Sequence, residues 1–311
     1  MRVLVTGGAG FVASHIVDGL LARDDAVIVV DNLASGDRRN VSTDALFVEC
    51  DIRSDAFADL IEQEKPDAIV HCAAQPQVGP SVRNPMYDLD VNLRGLVVLL
   101  TAAARTGVRQ IVYASSGGTV YGTTDRFPIR EDAPLFPDNP YGITKMAGEH
   151  YVRYFARTSG LTGTVLRYAN IYGPRDHVSS EHVITVFAER MLTGKPCTIQ
   201  WDGEQAKDYV FVDDVVRANI AALDRNVGGI FNIGSGSPTS VNDIFRALER
   251  VIGPQPEPAQ APKREGDVRT FYLDCGKARE QLGWEAHTSL DVGLDQTVAW
   301  FREALARGPI H

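Results

Sequence analysis

MRVLVTGGAGFVASH, residues Met1–His15, decides how the rest of the chain is read. Arg2-Val3-Leu4-Val5-Thr6 is a short apolar run rich in β-branched residues, the composition of a parallel strand covered on both faces. Gly7, Gly8 and Gly10 follow at once, where the chain turns sharply and bare backbone can approach a ligand. From Phe11 to Ala22 the apolar spacing becomes helical. Strand, glycine turn and helix N-terminus together present free N–H groups and the positive end of a helix dipole to an anion. This is the outline of a dinucleotide pyrophosphate cradle.

The spacing is Gly7-x-x-Gly10-x-x-Ala13 rather than the commoner G-x-G-x-x-G, and its context strengthens it. A second apolar run, Ala26-Val27-Ile28-Val29-Val30, ends in Asp31, roughly 20 residues beyond the loop, the place of the carboxylate that accepts from a ribose 2′-OH. An acid there repels a 2′-phosphate, so NAD is expected rather than NADP, even with Arg38 and Arg39 nearby.

A chain of 311 residues is long enough for one large or two moderate domains. Its 44% hydrophobic and 23% charged content is that of a soluble globular protein. The formal charge of −9 argues against a broad nucleic-acid footprint. No apolar run reaches membrane-spanning length, and Met1 leads straight into a strand without a signal-peptide core. A cytoplasmic protein with neither membrane nor nucleic-acid partner is expected. Cys50, Cys72, Cys197 and Cys275 are far apart and form no C-x-x-C pair, so they are read as core residues and not as a zinc site or disulfide framework.

Strand and helix patterns alternate through the first half. Leu46–Cys50 leads to Asp51, Ser54–Glu64 reads as a helix, Ala68–His71 as a buried strand, Pro85–Arg105 as one long helix, and Gln110–Ala114 as the next strand. Repeated βα units mean an α/β fold with a doubly wound parallel sheet. Ligands in such sheets lie at the carboxyl ends of the strands, which gathers Gly7, Asp31, Asp51, Ala73 and Ser116 around one crevice. Asn139-Pro140-Tyr141-Gly142-Ile143-Thr144-Lys145 then opens a helix running to about Thr158. Tyr141 and Lys145, four apart, share one of its faces. A lysine ammonium beside a phenol favours the phenolate, so the spacing predicts a Tyr141 pKa lowered from about 10 towards neutrality.

With these residues in hand the chain resembles an extended short-chain dehydrogenase/reductase, and within that family a nucleotide-sugar epimerase of the UDP-glucose 4-epimerase type. The matching stretches span nearly the full length: Thr6–His15, Asp31–Leu33, Asp51-Ile52, His71–Ala74, Val91-Asn92, SSGGTVYG at Ser115–Gly122, Tyr141-x-x-x-Lys145, LRYANIYGPR at Leu166–Arg175, and REGD at Arg264–Asp267. The resemblance implies a bound NAD held by Gly7, Gly10, Phe11 and Val12, by Asp31 and Asn32, and by Asp51 and Ile52. Ala73, Ala74, Gln75, Asn92 and Tyr168 complete that expected set, with Tyr141 and Lys145 reaching the cofactor as well. It implies Tyr141 as base, Lys145 as its tuner and ribose ligand, and a hydroxyl after the fifth strand sharing the proton. Many relatives carry that hydroxyl where this chain has Gly117; the T-G-G version places it at Ser116, which takes the role here ahead of Thr119 or Ser115. Hydride leaves C4 of the sugar, the 4-keto sugar turns over, and hydride returns to its other face, so no metal is required. Asp176, His177, Glu181 and His182 are therefore read as a polar loop.

For the sugar nucleotide the resemblance points to Ser116, Tyr141, Asn170, Val183, Ile184, Thr198, Gln200, Lys207, Arg264, Asp267 and Phe271. Gln200 stands where relatives carry an aromatic residue and Trp201 where they carry glycine; Lys207 replaces the more usual arginine on the diphosphate and lacks its fork. A bulky Phe271 favours an unmodified hexose. The expected organisation is a cofactor domain over residues 1–170, with 208–234 returning to it, and a substrate domain over 171–311 containing an exposed spacer at Gly253–Pro262. By the same resemblance, helices near Asn92–Arg105 and Tyr141–Thr158 pair in a homodimer. The expected reaction is the interconversion of UDP-glucose and UDP-galactose. A UDP-uronate 4-epimerase would need a cation near the sugar C6, with Arg190 or Arg175 as candidates. A dehydratase would carry an Asp-Glu pair where this chain has Gly118-Thr119, and a catalytically silent NAD-binding regulator would not need both Tyr141 and Lys145.

Overall fold

A computed structural model describes residues 1–180, 182–263 and 268–307. In the first half, strands β1 (Arg2–Thr6), β2 (Ala26–Asp31), β3 (Leu46–Glu49), β4 (Ala68–His71) and β5 (Gln110–Ser116) alternate with helices. These are α1 (Phe11–Leu21), α2 (Asp55–Glu64), α3 (Val78–Arg83), α4 (Pro85–Leu89), α5 (Gly95–Thr106) and the short α6 (Gly117–Val120). Then come α7 (Pro140–Ser159), β6 (Thr162–Tyr168), β7 (Asn170–Tyr172), α8 (Val183–Leu192), β8 (Thr198–Gln200), β9 (Ala206–Phe211), α9 (Val212–Arg225) and β10 (Gly229–Ile233). The chain ends with β11 (Pro238–Ser240), α10 (Val241–Ile252), β12 (Ala259–Ala261), β13 (Thr270–Phe271), α11 (Gly276–Leu282) and α12 (Leu290–Arg307).

Seven strands form one parallel sheet in the order β10-β6-β5-β4-β1-β2-β3. Chain order reverses between β1 and β4, so the crevice for a ligand opens beyond the ends of those two strands, where Gly7 and Ala73 lie. β1 and β4 are buried along nearly their whole length, which is why both read as unbroken apolar runs. One face of the sheet is covered by Ile16, Val17 and Leu20 of α1 with Val215, Ala218 and Ala222 of α9. The other is covered by Phe57 and Ile61 of α2, Leu96, Leu99 and Leu100 of α5, and Val152 of α7.

A smaller layer carries its own core. A four-stranded sheet orders β11-β9-β13, with β7 pairing to β9, and Tyr172, Phe187, Phe211, Phe245, Leu248 and Phe301 pack between it and α8, α10 and α12. The stretch 208–234 divides between the layers: β9 belongs to the small sheet, whereas β10 pairs with β6 at the edge of the large one.

Two local expectations are corrected. The helix expected over Pro85–Arg105 is broken into α4, a π-helical turn at Asp90–Arg94, and α5. That wide turn contains Asn92, whose side chain is drawn inward. The Gly253–Pro262 spacer is not wholly irregular, because Ala259–Ala261 pairs in parallel with β8.

Candidate functional site

The cradle begins where β1 ends. Gly7 has φ +74°, and a Cβ there would stand 2.8 Å from the Ala73 backbone nitrogen, so only glycine permits the close approach of the β1 and β4 ends. Gly10 caps α1 without a side chain, leaving the first-turn N–H groups of that helix clear of any capping oxygen. Asp31, at the end of β2, accepts from the Ala9 and Leu33 amides at 3.0 and 2.8 Å, which aims its carboxylate at the glycine turn. A bare backbone turn, an open helix N-terminus and a fixed acid at the next strand end fit a dinucleotide.

The flanking residues differ in how free they are. Asn32 donates to Asp51 at 3.1 Å, and the Asp51 carboxylate is gripped by the Arg53 guanidinium, which holds its pKa well below the usual range. Ile52 is a core residue against which Gly95 packs. Phe11 lies edge-on to His15, whose ring meets the Pro174 carbonyl at 2.9 Å, and Val12 packs against the large core. Asn92 is buried, its Oδ1 accepting the Gln75 amide at 2.7 Å, so it braces the Ala73-Ala74-Gln75 turn from beneath. Tyr168, in register with Ser116 across β5 and β6, exchanges hydrogen bonds between its hydroxyl and Asn219 of α9 at 3.1 and 2.9 Å.

β5 delivers Ser116 as its last residue and α7 delivers Tyr141 and Lys145. Asn139 caps α7, accepting from the Gly142 amide at 2.9 Å, and Pro140 sits at its first position, which is why the helix starts there. Gly142 lets it lie against the preceding segment: a Cβ would be 2.6 Å from the Thr119 carbonyl oxygen. The Ser116 side chain stands close enough to the Tyr141 phenol to favour its ionised form. Ser115 is committed elsewhere, donating to Glu149 at 2.6 Å. A Cβ at Gly117 would stand 2.9 Å from Leu273, so the hydroxyl cannot occupy that position without displacing the core. Thr119 has a buried hydroxyl without a partner.

Lys145 is buried, donates to the Ala114 carbonyl at 2.8 Å, and its ammonium stands 5.0 Å from the Tyr113 ring centroid and 5.7 Å from that of Tyr141. The expected depression of the Tyr141 pKa does not occur. Burial of the phenol outweighs the effect of Ser116 and pushes it up, while burial brings Lys145 down to about 8. The lysine's own contact is to a strand carbonyl, so its charge reaches the phenol through the ring and not through a hydrogen bond.

Sequence reasoning passed over Asp88. This fully buried carboxylate accepts from Gln75, Asn92 and Thr144 directly behind the Tyr141–Lys145 face. The i, i+4 spacing of Asp88 and Asn92 was the available signal.

The second half reaches the same end of the sheet. Asn170 donates to the Asp208 carbonyl at 3.0 Å, and Lys207 on β9 lies in register with Phe271 on β13. Thr198 and Gln200 are half-buried on β8. Of the α8 pair, Val183 is half-buried and Ile184 buried, and both pack with the small core around Tyr172 and Phe187. Trp201 stacks with the cations of Lys263 and Arg269 at 4.5 and 4.7 Å. Asp176 is held by His182 and Thr185. Arg264 and Asp267 lie outside the described residues.

Three comparisons agree with this geometry. The profile of the NAD dependent epimerase/dehydratase family matches residues 3–234. UDP-glucose 4-epimerase of Mycolicibacterium smegmatis is 41% identical over 97% of this chain and 99% of its own. Among solved structures, UDP-glucose 4-epimerase of Thermotoga maritima with UDP-glucose superposes with a TM-score of 0.95 at 45% identity, covering 98% of this chain and 100% of that one. The Thermus thermophilus enzyme in complex with NAD gives 0.90 at 38%, with the same coverage. The chain belongs to the NAD dependent epimerase/dehydratase family.

Proposed function

We propose that the protein inverts C4 of a UDP-hexose, interconverting UDP-glucose and UDP-galactose, with NAD held throughout the cycle. The single observation that carries this is the meeting of Ser116, Tyr141 and Lys145 at the end of β5, on the side of the sheet where Gly7, Gly10 and Asp31 form a dinucleotide cradle. NAD supplies the hydride acceptor and donor at C4. Tyr141 takes the proton of the C4 hydroxyl as hydride leaves and gives it back after the keto sugar has turned; Ser116 bonds the same oxygen and keeps the proton in line. Lys145 holds a ribose hydroxyl and lends positive charge to the phenol, which the buried setting otherwise keeps protonated. Asp31 accepts from the adenosine ribose, and its charge turns away a 2′-phosphate. Asn170 and Lys207, with Arg264 and Asp267, hold the nucleotide and diphosphate.

Both cations of the uronate reading have partners elsewhere. Arg190 donates to the Pro196 carbonyl at 2.8 Å, and Arg175 pairs with Asp18 of α1 at 2.7 Å. We further propose a homodimer. Met86 and Leu89 of α4, with Ile143, Tyr151 and Tyr154 of α7, form an exposed apolar face on two neighbouring helices. The deciding assay gives the purified protein, without added cofactor, a panel of UDP- and dTDP-sugars. Inversion at C4 of UDP-glucose and UDP-galactose is expected. Protein that carries no nicotinamide nucleotide and inverts none of them would overturn the reading.

A further inference from the structure

We propose that Asp88 is the positioning residue of the Tyr141–Lys145 pair: its buried carboxylate anchors α7 through Thr144 and supplies the counter-charge that keeps Lys145 an ammonium. The inference rests on the reading of that pair as catalytic.

The first part is geometric. Asp88 is fully buried on α4, and Thr144, the residue next to Lys145 on α7, donates to its Oδ2 at 2.8 Å. Its Oδ1 accepts from Gln75 Nε2 and Asn92 Nδ2, each at 3.0 Å. Both amides have fixed orientations, because Gln75 Oε1 accepts the Gln77 backbone N–H and Asn92 Oδ1 accepts that of Gln75, each at 2.7 Å. The single hydroxyl hydrogen of Thr144 has two acceptors in reach, Asp88 Oδ2 at 2.8 Å and the Tyr141 carbonyl at 3.0 Å, and Asp88 is the nearer. The two amides at Oδ1 are donors only, and Thr144 is a hydroxyl donor at Oδ2. The same carboxylate ties the cofactor-side turn at Gln75 to the helix that carries the base.

The second part follows from what else faces Lys145. From the end of β4, His71 is a neutral imidazole, held at about 3, and Cys72, just beyond the strand, a neutral thiol pushed up to about 12. From β5, Tyr113 is a phenol pushed well up by burial, and from α7 itself Tyr141 is another. Glu149 is gripped through both its oxygens by Nε and Nη2 of Arg167 at 2.9 and 2.6 Å. Among the described residues acting on Lys145, Asp88 is the carboxylate whose charge no cation offsets. Burial brings Lys145 down to about 8 even with the Asp88 charge in place, so loss of that charge would lower it further into the working range.

Asp88→Asn keeps the shape and the two contacts its oxygen accepts, and can reverse the third, its NH2 donating to Thr144 Oγ1 while that hydroxyl donates to the Tyr141 carbonyl, so that chiefly the charge is removed. The chain has six lysines, so ε-carbon NMR with labelled lysine resolves the Lys145 signal, assigned through Lys145→Met. The Lys145 midpoint should fall by about half a pH unit or more in Asp88→Asn. Thr144→Val removes the anchor and leaves the charge: its Lys145 midpoint should stay at the wild-type value while kcat falls about ten-fold with KM for UDP-glucose little changed. An unmoved midpoint in Asp88→Asn, or an equal shift in Thr144→Val, would overturn the charge role. If Asp88→Asn does not fold, the carboxyl carbon of Asp88 in the labelled wild-type protein decides: a carboxylate signal at neutral pH supports the proposal and a protonated one overturns it. The NMR readouts need no turnover, so their failure is separate from failure of the epimerase assay.

Discussion

Tyr141→Phe removes only the phenolic oxygen, and with it the group that takes the sugar proton. The variant is expected to fold and to co-purify with nicotinamide nucleotide, and to lose about a hundred-fold or more in kcat, measured by coupled turnover of UDP-galactose. Unchanged turnover would remove the phenol from the reaction. Acid stability has a separate residue-scale cause. His71 is fully buried at the end of β4, its Nδ1 2.8 Å from Thr6 Oγ1 and its ring stacked on Tyr113. Burial, assisted by the Lys145 charge, holds it at about 3 against 6.5 for an unburied histidine. The unfolded chain takes up the proton first. The stability given by the neutral ring is therefore complete above pH 6.5 and is lost as pH falls towards 3, with a slope of up to about 1.4 kcal/mol per pH unit. Urea unfolding across that window should show a shallower dependence in His71→Gln; an identical one would assign the acid lability elsewhere.

Helix α7 is placed by contacts so close that a single methyl tests them. A Cβ at Gly142 would meet the Thr119 carbonyl oxygen at 2.6 Å, and one at Gly148 the Tyr113 hydroxyl at 2.4 Å, both less than any ordinary contact. Gly142→Ala must push α7 off the end of β5, separating Tyr141 from Ser116. A loss of about ten-fold or more in kcat is expected, with a destabilisation of about 1–3 kcal/mol by chemical unfolding. At this scale much of the site was legible in the residue order. The strand, glycine turn and helix of the cradle, the acid ending β2 and the Tyr141-x-x-x-Lys145 spacing each follow from local periodicity and turn chemistry. What local pattern does not contain is burial. It reversed the expected sense of the Tyr141 pKa, turned Tyr168 and Ile184 into core side chains, and drew Asn92 into a π-helical turn. The Asp88 cluster was hidden for the same reason, since Gln75 and Thr144 approach it from segments far apart in the chain.

Across the whole molecule, the exposed apolar residues of α4 and α7 matter because α7 is also the helix that carries Tyr141. Charge placed there, as Met86→Lys with Ile143→Lys, should convert a dimer to monomers in sedimentation velocity while leaving NAD bound. A wild-type protein that sediments as a monomer would refute the proposed pairing. The two layers are not independent, because the chain enters the small sheet at β7 and comes back at β10 to pair with β6. Consider a truncation ending before Ala206. It would strip a strand from one margin of the large sheet and the apolar cover of α9 from one flank. The amino-terminal fragment would then be an insoluble, open-sided product and not a free-standing nucleotide binder. Limited proteolysis would have to release both lobes together or neither.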